Sequence, residues 1–311
     1  PELNLEHPPV RQYLYEAPDS VLRGYLRDGA DGWRLDTAFE LGHRYLQDLR
    51  HAARQEKKDA LIVGEIVNYP DQWLQSMDGV MNFTLRQIIL GLAQGELSTS
   101  AATRMTERLV RDAGIEPLLK SWNVIDNHDI PRIHTQLPDT RLRRLVQALQ
   151  FTLPGSPNVY YGSEVGMTGG GDPENRGPMR WDQVQPDQAE LVWMKRLIAL
   201  QQGHRALRVG DYRRIEAERL FAFERHTDKA LDTRIVLANP GNTPVTEKIM
   251  VANAALMDDT PLVNLLADDP RQTVTTMGPG LITVTVPAQS VMVLQPMERE
   301  LGGYSRYKRV R

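Results

Sequence analysis

Ala60-Leu61-Ile62-Val63-Gly64-Glu65 decides the reading of this chain: a run of strand length, apolar at nearly every position, that ends in a carboxylate. A strand with one solvated face alternates apolar and polar residues, so an unbroken apolar run marks a strand covered on both faces, as in a parallel sheet between layers of helix. From about residue 28 to 203, short apolar runs of this kind alternate with longer segments of helical period. That alternation predicts β/α units on a parallel sheet. We read strands near 30–36, 60–66, 79–83, 121–127 and 157–162. Between the last two, Leu142, Leu145, Val146 and Leu149 recur at the spacing of one buried helix face, and Asp139-Thr140 stands in front as a cap.

The ends of these runs carry the chemistry. In Asp31-Gly32-Trp33-Arg34-Leu35-Asp36 the pleat sends Arg34 and Asp36 to one face, with Trp33 and Leu35 on the other. A guanidinium beside a carboxylate suits a nucleophile or a cation stabiliser; an ion pair that only fixes geometry fits the segment equally well. Glu65 closes an apolar strand, where desolvation favours the protonated form that a general acid needs, the alternative being an acid paired with a neighbouring base. In Ser121-Trp122-Asn123-Val124-Ile125-Asp126-Asn127-His128-Asp129 the polar cluster again falls at the C-terminal end. His128 alone would read as a structural histidine, but beside Asn127 and Asp129 it reads as part of a ligand-binding edge. Three of the units thus place an acid on one rim, the rim that carries the active site in barrels of alternating strands and helices.

Composition narrows the classes. The chain has 311 residues, 41% hydrophobic and 25% charged, enough for one large globular domain and a small one. A net charge of -3 gives no basic field for a phosphate backbone, which argues against a nucleic-acid partner. The lack of cysteine excludes disulfides and thiolate metal sites and leaves the compartment open. No apolar run approaches the roughly 20 residues of a membrane span, so no membrane partner is expected. The chain opens on Pro1 without a methionine or signal-like segment, and the expectation is that its natural N-terminus lies upstream. After about residue 208 the pattern changes to period-2 strands: Arg219–His226, Thr233–Asn239, Val245–Val251, Leu281–Val286 and Gln289–Gln295. Residues 208–297 are therefore read as a separate antiparallel domain. Residues 298–311, with Arg306, Lys308, Arg309 and Arg311, form a basic tail to which no function is assigned.

In order and spacing, Gly32-Trp33-Arg34-Leu35-Asp36, Gly64-Glu65 and Asn127-His128-Asp129 resemble three signature regions of the α-amylase family, glycoside hydrolase family 13. Pro1-Glu2-Leu3-Asn4 is similar to the motif before the fourth barrel strand, and the segment Tyr160–Met167 to the eighth strand and its loop. The resemblance implies an α/β fold: the C-terminal part of a (β/α)8 TIM barrel, strands four to eight, over residues 1–207, followed by an antiparallel β-sandwich domain over 208–297. It implies a retaining glycoside hydrolase cleaving α-glucosidic bonds of maltodextrins, with Asp36 as nucleophile, Glu65 as acid/base and Asp129 as the acid that grips the sugar. Arg34, His128, Asn127, Glu40 and Arg176 are then substrate-binding residues. No metal is assigned to these residues; calcium ligands, common in the family, would lie upstream of Pro1. The implied partners are an α-glucan oligosaccharide and either a complementary N-terminal polypeptide, supplying the first three strands, or a second copy in a homodimer. Residues 1–311 alone are expected to leave the outer barrel strands with unpaired edges. Two rivals stand beside hydrolysis: a transglycosylase, in which a sugar hydroxyl intercepts the covalent intermediate, and a non-catalytic glucan-binding partner subunit.

Within the family, Gly32–Asp36 and the loop Gly169-Gly170-Gly171-Asp172-Pro173-Glu174-Asn175-Arg176 are most similar to neopullulanase, cyclomaltodextrinase and maltogenic amylase members. That implies short or cyclic maltodextrins. Thr37-Ala38-Phe39-Glu40 departs from that subgroup's usual Val-Ala-Asn-Glu at Phe39. Asp172 and Arg176 read either as an ion pair shaping the pocket or as a solvated turn, and Trp73 and Trp181 either as platforms for sugar rings or as packing.

Overall fold

In the computed structural model, which describes residues 3–252, 256, 260–268, 273–275, 278 and 280–297, the apolar runs pair side by side in parallel. The strands are β1 (Gly32–Leu35), β2 (Leu61–Ile66), β3 (Gly79–Asn82), β4 (Trp122–Asn123) and β5 (Ser156–Pro157), in that spatial order. Register brings Arg34 opposite Val63 and Leu35 opposite Gly64, then Glu65 opposite Met81. Chain order equals spatial order because each strand is followed by a crossover to its parallel neighbour, through α-helices except between β2 and β3, where the link carries a single helical turn, Trp73–Gln75. The helix His43–Glu56 buries Leu46, Leu49, Ala52 and Ala53 in one core with Ile62, Ile66 and Val80.

The helix Thr140–Thr152 forms as its spacing predicts. The Asp139 carboxylate accepts from the Arg141 and Leu142 amides at 2.8 and 3.2 Å, and Leu145, Val146 and Leu149 are buried. The strand read near 30–36 is trimmed to Gly32–Leu35, and two others shrink to two residues each. Pairing in the 121–127 run stops at Asn123, because Asp126 is drawn aside: its Oδ2 accepts the Ile133 amide at 2.9 Å and the Ser163 hydroxyl at 2.5 Å. Pairing in the 157–162 run stops at Pro157, and the chain turns at Gly162, where φ is 83°. Tyr160 and Tyr161 there lie over the buried Arg132 guanidinium, 4.4 and 4.7 Å from the ring centroids.

The second half is antiparallel. Its strands are β6 (Asp211–Arg214), β7 (Phe221–His226), β8 (Arg234–Asn239), β9 (Val245–Met250), β10 (Pro261–Asn264), β11 (Thr273–Thr275), β12 (Leu281–Val286) and β13 (Ser290–Pro296). Among the described residues they make a six-stranded sheet, ordered β11-β10-β13-β8-β7-β6, and a two-stranded sheet, β12-β9. Alternation along the central strands serves two cores. Ala222, Ile235, Leu237 and Leu294 join Val245, Ile249, Ile282 and Val284 of the two-stranded sheet. Phe221, Phe223, Val236, Ala238 and Val293 pack instead with Leu145, Val146 and Leu149. The buried Arg225 fastens the two halves, donating to the carbonyls of Thr152 at 2.7 Å and Gly210 at 2.8 Å. β6, β10 and β11 have no counterpart in the sequence reading; the basic tail 298–311, like Pro1 and Glu2, lies outside the described residues.

Two histidines link this packing to acid stability. Burial, then the Arg143 charge, pushes the His134 imidazole down to about 4 against the pull of Glu190, and burial with Arg234 does the same to His204. Both folded values lie below the ordinary 6.5, so the unfolded chain takes up these protons first as pH falls. Stability present above about 6.5 is therefore lost progressively toward about 4. We expect the melting temperature of the intact protein to drop across that window, and the drop to be smaller in His134→Gln; an unchanged slope would remove His134 from the account.

Candidate active site

The β1–β2 ladder ends with Leu35 opposite Gly64, so the next residue on each side, Asp36 past β1 and Glu65 within β2, stands at the same rim. Arg34 lies between them. One of its terminal nitrogens bonds Asp36 Oδ1, and the other sits 2.9 Å from Glu65 Oε1, within ion-pair range. Its Nε rests 3.5 Å from Met81 Sδ on β3. Glu65 thus has the neighbouring base that its sequence allowed for, shared with a second acid. Its other oxygen accepts the Thr37 amide at 3.0 Å.

That last bond depends on an uncommon backbone. Thr37 is in the left-handed region, φ 38°, where a β-branched residue is strained by roughly 1–3 kcal/mol, and the turn aims its N–H at Glu65. Ala38, fully buried, holds the turn against β2. It can do so because residue 64 is glycine: a Cβ there would stand 2.9 Å from the Ala38 Cβ and press into the Met77 thioether. The two acids differ in access, the Asp36 side chain being 74% exposed and that of Glu65 only 9%.

The third acid is built on a loop. Asn127 Oδ1 accepts the amides of Asp129 at 2.9 Å and Ile130 at 3.2 Å, so the buried Asn127 side chain shapes the turn. His128 Nε2 is 3.1 Å from Asp129 Oδ2. Arg176, 47 residues further on, brings Nη2 to 3.2 Å from Asp129 Oδ1 and to 3.4 Å from Asp172 Oδ2. Its Nε donates to the His128 carbonyl at 2.9 Å. Of the two readings of Asp172 and Arg176, the geometry shows the ion pair, with Asp129 as a third member.

Arg34, Asp36 and Glu65 therefore form one cluster, at the ends of β1 and β2, and Asn127, His128, Asp129 and Arg176 another, on loops beyond β4 and β5. Glu40 is exposed in the short helix Ala38–Leu41, and among the described residues it pairs with neither cluster. Trp73 stacks on His43, ring centroids 4.6 Å apart, and packs against the core around Ile62, whereas Trp181 is 76% exposed. Sequence reasoning missed Thr37 as a donor and Asn175 and Arg132 as buried supports of the second cluster; the only local signal was that Thr37 opens the stretch departing from the subgroup.

The chain is similar to known proteins over most of its length. The family described as alpha amylase, catalytic domain, matches residues 1–228. A cyclomaltodextrinase from a Bacillus species is 35% identical over 248 residues, 77% of this chain and 43% of that protein. Neopullulanase 2 of Thermoactinomyces vulgaris is 35% identical over 251 residues, 78% of this chain and 42% of its own. The chain spans less than half the length of either relative. Among solved structures, the native debranching enzyme of Nostoc punctiforme superposes with a TM-score of 0.83 at 28% identity, over 95% of this chain and 63% of that one. The cyclic α-maltosyl-(1→6)-maltose hydrolase of Arthrobacter globiformis, in complex with cyclic α-maltosyl-(1→6)-maltose, gives 0.76 at 27% identity, over 94% of this chain and 61% of that one.

The tight seat of Ala38 is directly testable. Gly64→Ala should destabilise the intact protein by about 1–3 kcal/mol, as overpacking of a filled core does, seen as a lower urea midpoint at unchanged slope. A variant as stable as the parent would show that the contact yields without cost.

Proposed function

The chain belongs to the α-amylase family, and from that premise we propose that the rim built by Asp36, Glu65 and Asp129 is a retaining glycosidase site cleaving α-glucosidic bonds of maltodextrins. The observation that carries this reading is the sharing of Arg34 by two carboxylates on adjoining strands, one open to solvent and one recessed. Retaining cleavage needs two carboxyls that do different things to the same sugar.

In the first step Asp36 bonds to the anomeric carbon while the glycosidic C–O bond breaks and Glu65 gives its proton to the departing sugar oxygen. In the second, Glu65 takes a proton from water, the water oxygen bonds to the anomeric carbon, and Asp36 leaves with its electron pair. Arg34 fixes the direction of both carboxyls. Asp129, held by His128 and Arg176, accepts hydrogen bonds from sugar hydroxyls and stabilises positive charge at the anomeric carbon on this reading.

On the same reading, β1 to β5 are the fourth to eighth strands of a (β/α)8 barrel within residues 1–207, and the antiparallel sheets form a β-sandwich domain over 208–297. Support comes from the parallel order of β1 to β5 and from the core enclosed between the six-stranded and two-stranded sheets. The outer edges of β1 and β5, unpaired among the described residues, would meet the remaining barrel strands, from the same polypeptide, a complementary one or a second copy.

Asp36→Asn and Glu65→Gln in the intact protein should each lower turnover of maltodextrin by on the order of 10³-fold or more while the melting temperature changes little. Near-parental rates in either variant would withdraw the role given to that residue. Incubation with maltotriose, pullulan and cyclomaltodextrins, with the products resolved, tests the substrate class and separates hydrolysis from transglycosylation. Proton NMR early in hydrolysis should show the new reducing end as the α anomer. A β anomer appearing first would rule out direct attack by Asp36 followed by water.

A further inference from the structure

Asp129 stands on a loop, so something must hold that loop still. The loop Gly169–Arg176 lies against it. The Arg132 amide donates to the Gly169 carbonyl at 3.0 Å and the Gly169 amide to Thr135 Oγ1 at 2.8 Å. Gly169 is needed there, since a Cβ would come 2.7 Å from the Asn175 Cα. Asn175 is fully buried. Its Nδ2 donates to the carbonyls of His128 at 2.8 Å and Ile130 at 3.1 Å, the residues on either side of Asp129, and its own carbonyl accepts the Tyr160 hydroxyl at 3.2 Å. Tyr160 is fixed in turn over Arg132, which donates to the Tyr161 carbonyl at 2.5 Å.

We infer that Asn175 is a positioning residue for Asp129, an inference that rests on the role proposed above for that acid. A buried amide satisfying two carbonyls would serve stability anywhere in the loop. Here the two carbonyls bracket one residue, and the next side chain along, Arg176, grips the carboxylate of that same residue. With Asn127 Oδ1 holding the Asp129 and Ile130 amides from the other side, both faces of the short segment are tied. The amide of Asn175 is short and planar, so it leaves the Asp129 backbone little freedom to tilt.

The test compares Asn175→Ala with a matched control in the intact protein, using a maltooligosaccharide with a chromogenic aryl leaving group. Gln150 is buried and likewise donates two bonds to backbone carbonyls, to Asn123 at 2.8 Å and Asn158 at 2.7 Å, so Gln150→Ala measures the loss of two such bonds away from Asp129. Asn175→Ala should lower kcat by about 10²-fold, the effect of a misplacement near 1 Å, with a smaller change in KM, while Gln150→Ala lowers the melting temperature but keeps kcat near the parent. In an Asp129→Asn background, Asn175→Ala should reduce kcat little further, because the group it positions is already gone. Should Asn175→Ala fail to fold, Asn175→Ser, which retains one donor, should give an intermediate kcat with the same non-additivity. Equal kcat losses in Asn175→Ala and Gln150→Ala, or losses that multiply in the Asp129→Asn background, would overturn the inference. Near-parental turnover in Asp129→Asn alone would instead overturn the proposed function.

Discussion

A single guanidinium held between carboxylates on two adjoining strands organises this molecule. Arg34 binds Asp36 on its own strand and faces Glu65 on the next, and a planar fork does this where an ammonium, a point charge, would settle on one partner. The arrangement imposes conditions on everything near it. β1 and β2 must keep the register that sets Leu35 opposite Gly64, residue 64 must lack a side chain so that Ala38 can lie against β2, and Thr37 must accept a left-handed conformation for its amide to reach Glu65. The strain at Thr37 is of the kind that persists only where surrounding packing determines it, and the buried Ala38 supplies that packing.

The antiparallel half supports the rim from a distance. Because β7, β8 and β13 are apolar on both faces, the six-stranded sheet adheres to the helix Thr140–Thr152 on one side and to β9 and β12 on the other. That helix links the loop carrying Asp129 to the segment carrying Tyr160 and Tyr161. A buried charge such as Arg225 is costly unless its hydrogen bonds are made; its bonds to the Thr152 and Gly210 carbonyls meet that need and cap the C-terminal end of the same helix. The joint between the two halves is thus both apolar and directional.

What was legible in the sequence follows from range. Period-2 parity puts Arg34 and Asp36 on one face, and a short offset lets Asp139 cap its helix; both are decided within a few residues and both appear in the structure. Strand length was overread where polar side chains compete with the ladder for backbone groups, as Asp126 does in taking the Ile133 amide. β6 went unread because an edge strand with the sequence Asp-Tyr-Arg-Arg shows no apolar alternation. Arg176 had only Asp172 as a partner on the sequence, since Asp129 is 47 residues away and only the fold brings the two together. Asn175 gave no signal, because an asparagine in a glycine-rich loop looks like any turn residue until its burial is known.

The three acids are held by different means, and the means follow from where they stand. Glu65 is paired within β2, opposite Met81, and Asp36 directly follows Leu35, the last paired residue of β1, so one shared arginine and one amide suffice to orient the carboxyls. They also differ in environment, 74% against 9% exposed, and unlike surroundings are how two chemically similar groups come to play unlike parts. Asp129 lies beyond the last paired residue of β4 and receives no ladder bonds. A loop residue can be placed as accurately as a strand residue only if side chains replace the missing ladder. The number of buried or paired groups gathered on this one turn, Asn127 beneath it, Asn175 bracketing it, and His128 and Arg176 on its carboxylate, is what that replacement requires.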